Sequence, residues 1–248
     1  MQVRKGVILA AGKGTRLKEL TRNRPKPMVE INGRPILQYV FDALKGTGIR
    51  EFLVVTGYYA EMIEQHFGDG SQMGYKLHYV RQTVQNGTAT ATLLGKDFVG
   101  DEPFLLTFGD IITLPDNYTA FVNTYNNVPV DGQLAVYWKE DLSAGAAVYV
   151  DDNMWVTDII EKPPPGQSMS HWMNAGLFIF KPLIFDYLSK VPLSVRGEYE
   201  LTDAIRMMLK DGHPIRAYEL KDFWSDLGTP QALEVFKKML SVRAFRVQ

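Results

Sequence analysis

The sequence predicts an α/β fold built on a parallel, doubly wound sheet. Short apolar runs suited to buried strands alternate, through the first half, with stretches whose apolar residues recur at helical spacing, the pattern of successive βαβ units. One such run, Gly6-Val7-Ile8-Leu9-Ala10, passes directly into the glycine-rich, doubly basic loop Gly12-Lys13-Gly14-Thr15-Arg16. Strand-to-loop junctions of this kind lie at the carboxyl edge of such sheets, where ligands bind. At 248 residues with 46% apolar side chains, the chain has ample material for a core and sits at the upper end of one domain.

In order, the predicted strands of the first half cover residues 6–10, 51–56, 76–80 and 103–108, with helices near 35–44, 60–67, 88–96 and 118–125. Pro35 suits a first helical turn, and Ile36, Leu37, Val40, Phe41 and Leu44 follow at helical spacing. After Gly132 the pattern changes to closely spaced strands, 133–139, 144–150, 155–160 and 173–180. Helices are then expected near 182–190 and 201–210, and another begins near Pro230. The run Pro163-Pro164-Pro165-Gly166 reads as a rigid turn or flap, too short for an interdomain linker. No internal repeat or low-complexity segment interrupts the chain, which is read as one domain, 1–248, with halves 1–131 and 132–248.

Charge and composition exclude several classes of function. Lys and Arg number 27 against 28 Asp and Glu, a net charge of −1, and no basic run interleaved with aromatics offers a groove for polymeric nucleic acid. There is no cysteine, hence no disulfide, thiolate metal site or thiol nucleophile. The N-terminus reaches a core strand within a few residues and no apolar run is long enough to span a membrane, so neither a signal peptide nor a membrane partner is expected and the location predicted is cytoplasmic. His66, His78, His171 and His213 lie in separate segments with no matching nucleophile. The Met207-Met208-Leu209 and Met239-Leu240 clusters read as core.

The loop after the first strand has the chemistry of a triphosphate site: glycines admit the phosphate oxygens to the backbone, the N–H groups can point inward, and Lys and Arg neutralise charge. Two familiar phosphate loops do not fit. Walker A needs four residues between its glycines and then Lys-Ser/Thr, whereas five residues separate Gly6 from Gly12 and Gly14 follows Lys13. The dinucleotide fingerprint needs a third glycine where Leu17 stands.

The segment from Leu9 to Leu17, followed by Pro25-Lys26-Pro27-Met28, resembles the opening motif of the sugar-1-phosphate nucleotidylyltransferase family, L-A-(A/G)-G-x-G-T-R-L and then P-K-P-(M/L). That resemblance implies a Rossmann-like doubly wound mixed sheet with a small sugar-binding β/α subdomain. It implies NTP and a sugar-1-phosphate as partners, Mg²⁺ as cofactor, and frequent assembly into dimers or tetramers. Leu9, Ala10, Ala11, Gly12, Gly14 and Thr15 would meet the nucleotide, with Arg16 and Lys26 on its phosphates. Asp110, in Phe108-Gly109-Asp110, can be a simple turn former. The resemblance pairs it with Asp226 of Trp224-Ser225-Asp226-Leu227-Gly228-Thr229 as ligands of one metal.

Lys162 taken alone reads as a solvated turn residue paired with Glu161. Within Glu161-Lys162-Pro163 the resemblance places Glu161 on sugar hydroxyls and Lys162 on the sugar phosphate, with Gly145 and Asn174 lining the sugar pocket. The context of Gly145 departs from the common Tyr-Gly pattern. Gln82-Thr83-Val84-Gln85-Asn86-Gly87-Thr88-Ala89 resembles the base-binding segment of the uridylyltransferase branch, in N-acetylglucosamine-1-phosphate uridylyltransferase among others. There Gln82, Gly87 and Thr88 would meet a pyrimidine, since an amide offers both donor and acceptor. The same residues also suit a turn and helix cap.

UTP and dTTP stay open, as do glucose and N-acetylglucosamine, with glucose-1-phosphate the first choice. A cytidylyl- or guanylyltransferase of the same fold also stays open. A glycosyltransferase would be expected to carry Asp-x-Asp where Gly109-Asp110-Ile111 stands, and a non-catalytic nucleotide-sugar-binding regulator to have lost part of the charged set. No C-terminal β-helix domain is expected.

Overall fold

A computed structural model describes residues 2–241. Its elements, in order, are β1 (Lys5–Leu9), the hairpin β2 (Glu30–Ile31) and β3 (Arg34–Pro35), α1 (Ile36–Leu44), β4 (Glu51–Thr56), α2 (Ala60–Phe67) and β5 (Lys76–Arg81). Next come α3 (Thr88–Leu93), α4 (Lys96–Val99), β6 (Phe104–Phe108), β7 (Ile112–Thr113) and α5 (Pro115–Asn126). The second half holds β8 (Gly132–Trp138), β9 (Ala146–Val150), β10 (Val156–Glu161), β11 (Trp172–Phe180), α6 (Ile184–Leu188), α7 (Leu201–Lys210), β12 (Ile215–Glu219), β13 (Trp224–Ser225) and α8 (Pro230–Ser241).

Strands β5, β4, β1 and β6 lie side by side and parallel, as the βαβ alternation predicts, and β11 then joins β6 antiparallel, making the sheet mixed. The direction of winding reverses between β1 and β6, so the loops after these two strands open into one crevice. β11 has β8 along one edge. Its other edge is shared: Trp172 and Met173 pair with β9, whereas Leu177 to Phe180 pair with β6. The register shift between Asn174 and Phe178 falls where those neighbours change, and it opens the sheet beside Asn174.

Alternation along the strands fills a core on each face. Ile8, Phe52, Val54 and Leu105 meet Leu37, Val40 and Phe41 of α1 and Phe121 of α5. Val7, Leu53, Val55 and Leu106 meet Phe185 of α6 and Ala204, Ile205 and Met208 of α7. Helices therefore cover both faces of strands that read as near-continuous apolar runs.

The structure departs from the sequence expectation at identifiable points. The helix expected over 88–96 breaks at Leu94-Gly95, where a side chain on Gly95 would stand 3.2 Å from the Thr92 carbonyl and from Val7, and it continues as α4. The β2–β3 hairpin was not expected, although its Asn32-Gly33 turn, both residues at positive φ, carries a strong two-residue hairpin signal. β12 was also missed. It lies beyond β8, to which it runs parallel, and buries only Ile215 and Ala217. The Pro163-Pro164-Pro165-Gly166 run forms a turn closed by Gln167 N–H on the Pro164 carbonyl at 3.1 Å. No described helix is long and apolar enough to cross a membrane.

Asp131, just before β8, ties the sheet together at the edge remote from the crevice. Its carboxylate accepts from Lys181 Nζ at 2.9 Å and meets His213 Nδ1 at 2.7 Å. Burial alone would raise its pKa, but Lys181 and His213 outweigh burial and hold it below the ordinary value of 3.8. A depressed carboxylate stabilises the fold above the unfolded-state pKa and loses that contribution as pH falls through the folded value. Asp131→Asn is therefore expected to cost about 1 kcal/mol near neutral pH. The gap in thermal midpoint between variant and wild type should close below the ordinary aspartate range, as scanning calorimetry across pH would read.

Candidate active site

The loop after β1 is held by contacts on both sides. Ala10 N–H donates to the Val55 carbonyl at 2.8 Å, Gly109 N–H donates to Leu9 O at 2.9 Å, and Ala11 O accepts from Tyr58 N–H. Gly14 adopts a left-handed φ of 68°, and a Cβ there would fall 2.6 Å from Cβ of Lys26. Glycine is required on both counts. Buried Leu17 and the hydroxyl of Thr21, which donates to Gly14 O at 3.0 Å, anchor the far side and leave Arg16 exposed.

Three distant segments then meet around one ammonium. Lys26 is only 7% exposed, and its Nζ contacts Asp110 Oδ2 and donates to the Asp226 backbone carbonyl at 2.7 Å. Asp226 Oδ2 lies 3.4 Å from Arg16, and Asp226 Oδ1 accepts Gly228 N–H at 3.2 Å. Asp110 follows β6 and Asp226 follows β13, which pairs with β7 beside it. Two carboxylates and two cations thus form a charge-balanced chain, Asp110, Lys26, Asp226, Arg16.

Two clefts meet at this chain. The smaller, about 290 Å³, is lined by Leu9, Ala10, Gly12, Gly14, Thr15 and Lys26. The larger, about 710 Å³, extends past Thr88, Gly145, Glu161, Lys162 and Asn174 to Asp226. Arg16, Phe108 and Asp110 line both.

In the larger cleft, Lys162 is exposed, takes a left-handed φ of 43° and donates its N–H to the Gly145 carbonyl at 3.0 Å. This joins the end of β10 to the turn before β9. Glu161 accepts from Arg196 at 3.1 Å and from Thr202 at 3.4 Å, and Arg196 also meets Glu198 and Glu200. Burial, and then the neighbouring Glu161, raise the pKa of Glu200 above the ordinary glutamate range, with Arg196 opposing. Asn174 Oδ1 accepts Gly176 N–H at 3.0 Å, which orients its amide at the opening of the sheet.

Of the expected nucleotide contacts, Ala11, Gln82 and Gly87 line neither cleft. The Gln82 amide is buried and donates to Gly87 O and Thr90 Oγ1, both at 3.1 Å. Gly87 has φ 135°, and a Cβ there would stand 2.2 Å from the Tyr199 carbonyl. Thr88 Oγ1 accepts Leu201 N–H at 2.9 Å. The segment after β5 is thereby fastened to the start of α7, and only Thr88 of these three reaches the larger cleft.

The sequence reading missed Arg196, Glu198, Glu200, Thr202 and Trp224 as cleft residues. Trp224 Nε1 donates to Ala175 O at 2.8 Å, and Lys139 Nζ lies 5.1 Å from a Trp224 ring centre. The alternation of Arg196, Glu198 and Glu200 in the sequence gives no strand here: residues 194–198 form a turn, closed by Gly197 N–H on the Ser194 carbonyl at 2.9 Å, that brings these charges together.

The chain is similar to known proteins over most of its length. Over 230 residues the chain is 38% identical to the UTP–glucose-1-phosphate uridylyltransferase AglF of Haloferax volcanii, covering 91% of each protein. It is 35% identical to the low-salt glycan biosynthesis nucleotidyltransferase Agl11 of the same organism, over 92% of this chain but 63% of that protein. A UDP-glucose pyrophosphorylase solved with UDP-glucose superposes with a TM-score of 0.88 over 98% of this chain and 100% of that one, at 24% identity, a likeness of fold. The pattern of the nucleotidyl transferase family matches residues 5–241, and the chain belongs to that family.

Proposed function

We propose that the protein transfers a nucleotidyl group from UTP or dTTP to a sugar-1-phosphate, glucose-1-phosphate first, giving an NDP-sugar and pyrophosphate. The observation that carries this reading is the meeting of Lys26, Arg16, Asp110 and Asp226 where a phosphate-sized cleft opens into a larger one. The similarity to AglF, whose name specifies UTP and glucose-1-phosphate, supports the substrates.

In this reading residues 1–131 bind mainly the nucleotide and 132–248 mainly the sugar. Leu9, Ala10, Gly12, Gly14 and Thr15 receive the triphosphate, with Arg16 on the β- and γ-phosphates and Lys26 across the bond to be cleaved. Lys162 orients the sugar phosphate, while Glu161, Asn174 and the Gly145 backbone hold the sugar. Thr88 faces the base. Gln82 holds the loop that presents Gly87 and Thr88 through its two amide hydrogen bonds.

A sugar-phosphate oxygen attacks the α-phosphorus in line, the bond from the α-phosphorus to the bridging oxygen breaks, and pyrophosphate departs with that oxygen. The nucleophile is already an anion, so no general base is required. Positioning and charge neutralisation by these side chains make up the catalysis.

The donor set also fits Mg²⁺. Asp110 and Asp226 offer hard carboxylate oxygens on either side of Lys26, whose Nζ meets the Asp110 carboxylate and the Asp226 main-chain carbonyl, and two carboxylates completed by phosphates suit Mg²⁺. Among the described residues no larger group of His, Cys, Asp or Glu gathers as a metal site. A bound Mg²⁺ supplies charge neutralisation at the reacting phosphates.

Pyrophosphate release should appear with Mg²⁺ when UTP or dTTP is paired with glucose-1-phosphate, in an assay that crosses five NTPs with glucose-, N-acetylglucosamine-, galactose- and mannose-1-phosphate. Silence throughout, from folded protein that still binds nucleotide, would leave a binding protein and end the catalytic reading. Asp110→Asn should lower turnover by roughly 10²–10³, as loss of one electrostatic group does. Glu161→Ala should raise KM for the sugar phosphate at least about tenfold while leaving KM for NTP within about twofold, if one charged hydrogen bond to sugar is lost. Equal effects on both constants would remove Glu161 from the sugar site.

A further inference from the structure

The proposed metal ligands are already occupied by the chain's own cations. Lys26 Nζ contacts Asp110 Oδ2 and the Asp226 carbonyl, and Arg16 lies 3.4 Å from Asp226 Oδ2. Lys26 is buried and Asp110 nearly so, with side-chain exposures of 8% and 22%, whereas Arg16 remains 58% exposed. A divalent cation that takes both carboxylates must displace the ammonium from Asp110 and the guanidinium from Asp226.

We propose that Lys26 and Arg16 together are a built-in substitute for the metal: Lys26 neutralises Asp110 and Arg16 neutralises Asp226 in the nucleotide-free protein, and the pair keeps divalent cations out until the triphosphate arrives. The proposal rests on the nucleotidyl-transfer reading. It follows from charge and contact. With Lys26 and Arg16 seated, two carboxylates and two cations sum to zero, and a divalent ion entering alone would add two positive charges to a site that already holds two cations in contact with its ligands. When polyanionic triphosphate enters, it supplies new partners for both side chains. Lys26 and Arg16 can then turn to phosphate oxygens while the carboxylates pass to the cation that accompanies the nucleotide. The same side chains thus serve as counterions before binding and as phosphate ligands after it. Lys26 is a positioning residue in the first role and touches substrate in the second. The order of assembly is then a property of the free protein: metal enters with nucleotide, not ahead of it.

The test is Mn²⁺ binding to nucleotide-free full-length protein, read by electron paramagnetic resonance of free Mn²⁺ and by the rise in melting temperature with added Mn²⁺. Neither readout depends on turnover. Lys26→Met is expected to bind Mn²⁺ at least about tenfold more tightly than wild type, a small part of the attraction between unit charges in contact. Its melting temperature should climb with Mn²⁺ where that of wild type does not, because a ligand selective for the folded state stabilises it. Adding Asp110→Asn to Lys26→Met should abolish the gain.

Arg16→Gln, at an exposed position, should show a smaller gain in the same direction, and it decides the matter if Lys26→Met does not fold with or without Mn²⁺. Affinities of Lys26→Met and Arg16→Gln within threefold of wild type would overturn the proposal, as would tight, Asp110-dependent Mn²⁺ binding to nucleotide-free wild type. Pyrophosphate release by wild type under those results would leave the nucleotidyl-transfer reading standing, so the two fail separately.

Discussion

The ammonium of Lys26 is the contact on which the arrangement of the site depends. Asp110 and Asp226 are 116 positions apart in the sequence and enter from different strands, and two carboxylates facing one crevice repel unless a cation stands between them. Buried Lys26 meets the Asp110 carboxylate and the Asp226 main-chain carbonyl, and Arg16 meets the Asp226 carboxylate. Burial of a lysine is costly without a partner, so its seat also requires the Asp110 carboxylate and the Asp226 carbonyl. Cation and anions fix one another. The left-handed Gly14 belongs to the same constraint, because a side chain at that position would strike the Lys26 stem.

The sheet supplies the place where this can happen. The reversal of winding between β1 and β6 puts the phosphate loop and Asp110 at neighbouring strand ends, and main-chain bonds from Gly109 to Leu9 hold them in register. On the other side, β11 exchanges β6 for β9 along a single edge, and the strands separate at Asn174 and Gly176. The larger cleft lies in that separation. The two halves of the chain, 1–131 and 132–248, therefore contribute to one continuous sheet, and their relative position is set by hydrogen-bond register.

The acidic group around Arg196 shows a second use of charge. Glu161, Glu198 and Glu200 share one guanidinium, and burial holds Glu200 toward its neutral form. The Thr88 hydroxyl meets Leu201 N–H nearby, and Gly87 packs on the Tyr199 backbone. The Gly87-Thr88 segment and the acidic group around Arg196 are consequently joined through residues 199–201.

Much of this was legible from the sequence because it is local. Alternating apolar runs specified β1, β4, β5 and β6, helical spacing specified α1, and the glycines and cations of the first loop singled out a segment that lines a cleft, since each depends on residues close together in the chain. Asp110, Lys162 and Asp226 were singled out through a family resemblance; taken singly, Asp110 and Lys162 also suited a turn. Two elements were missed for opposite reasons. The Asn32-Gly33 hairpin carried a strong signal that went unread, whereas β12, half-buried beside β8, carried almost none. What only the tertiary structure decided was pairing: that Lys26 neutralises Asp110 and also reaches the Asp226 carbonyl, that Gln82 spends its amide on Gly87 and Thr90, and that Arg196 gathers three glutamates. Composition and spacing state which charges a chain has, but which of them meet depends on where non-adjacent strands end, and that is set by sheet topology and burial.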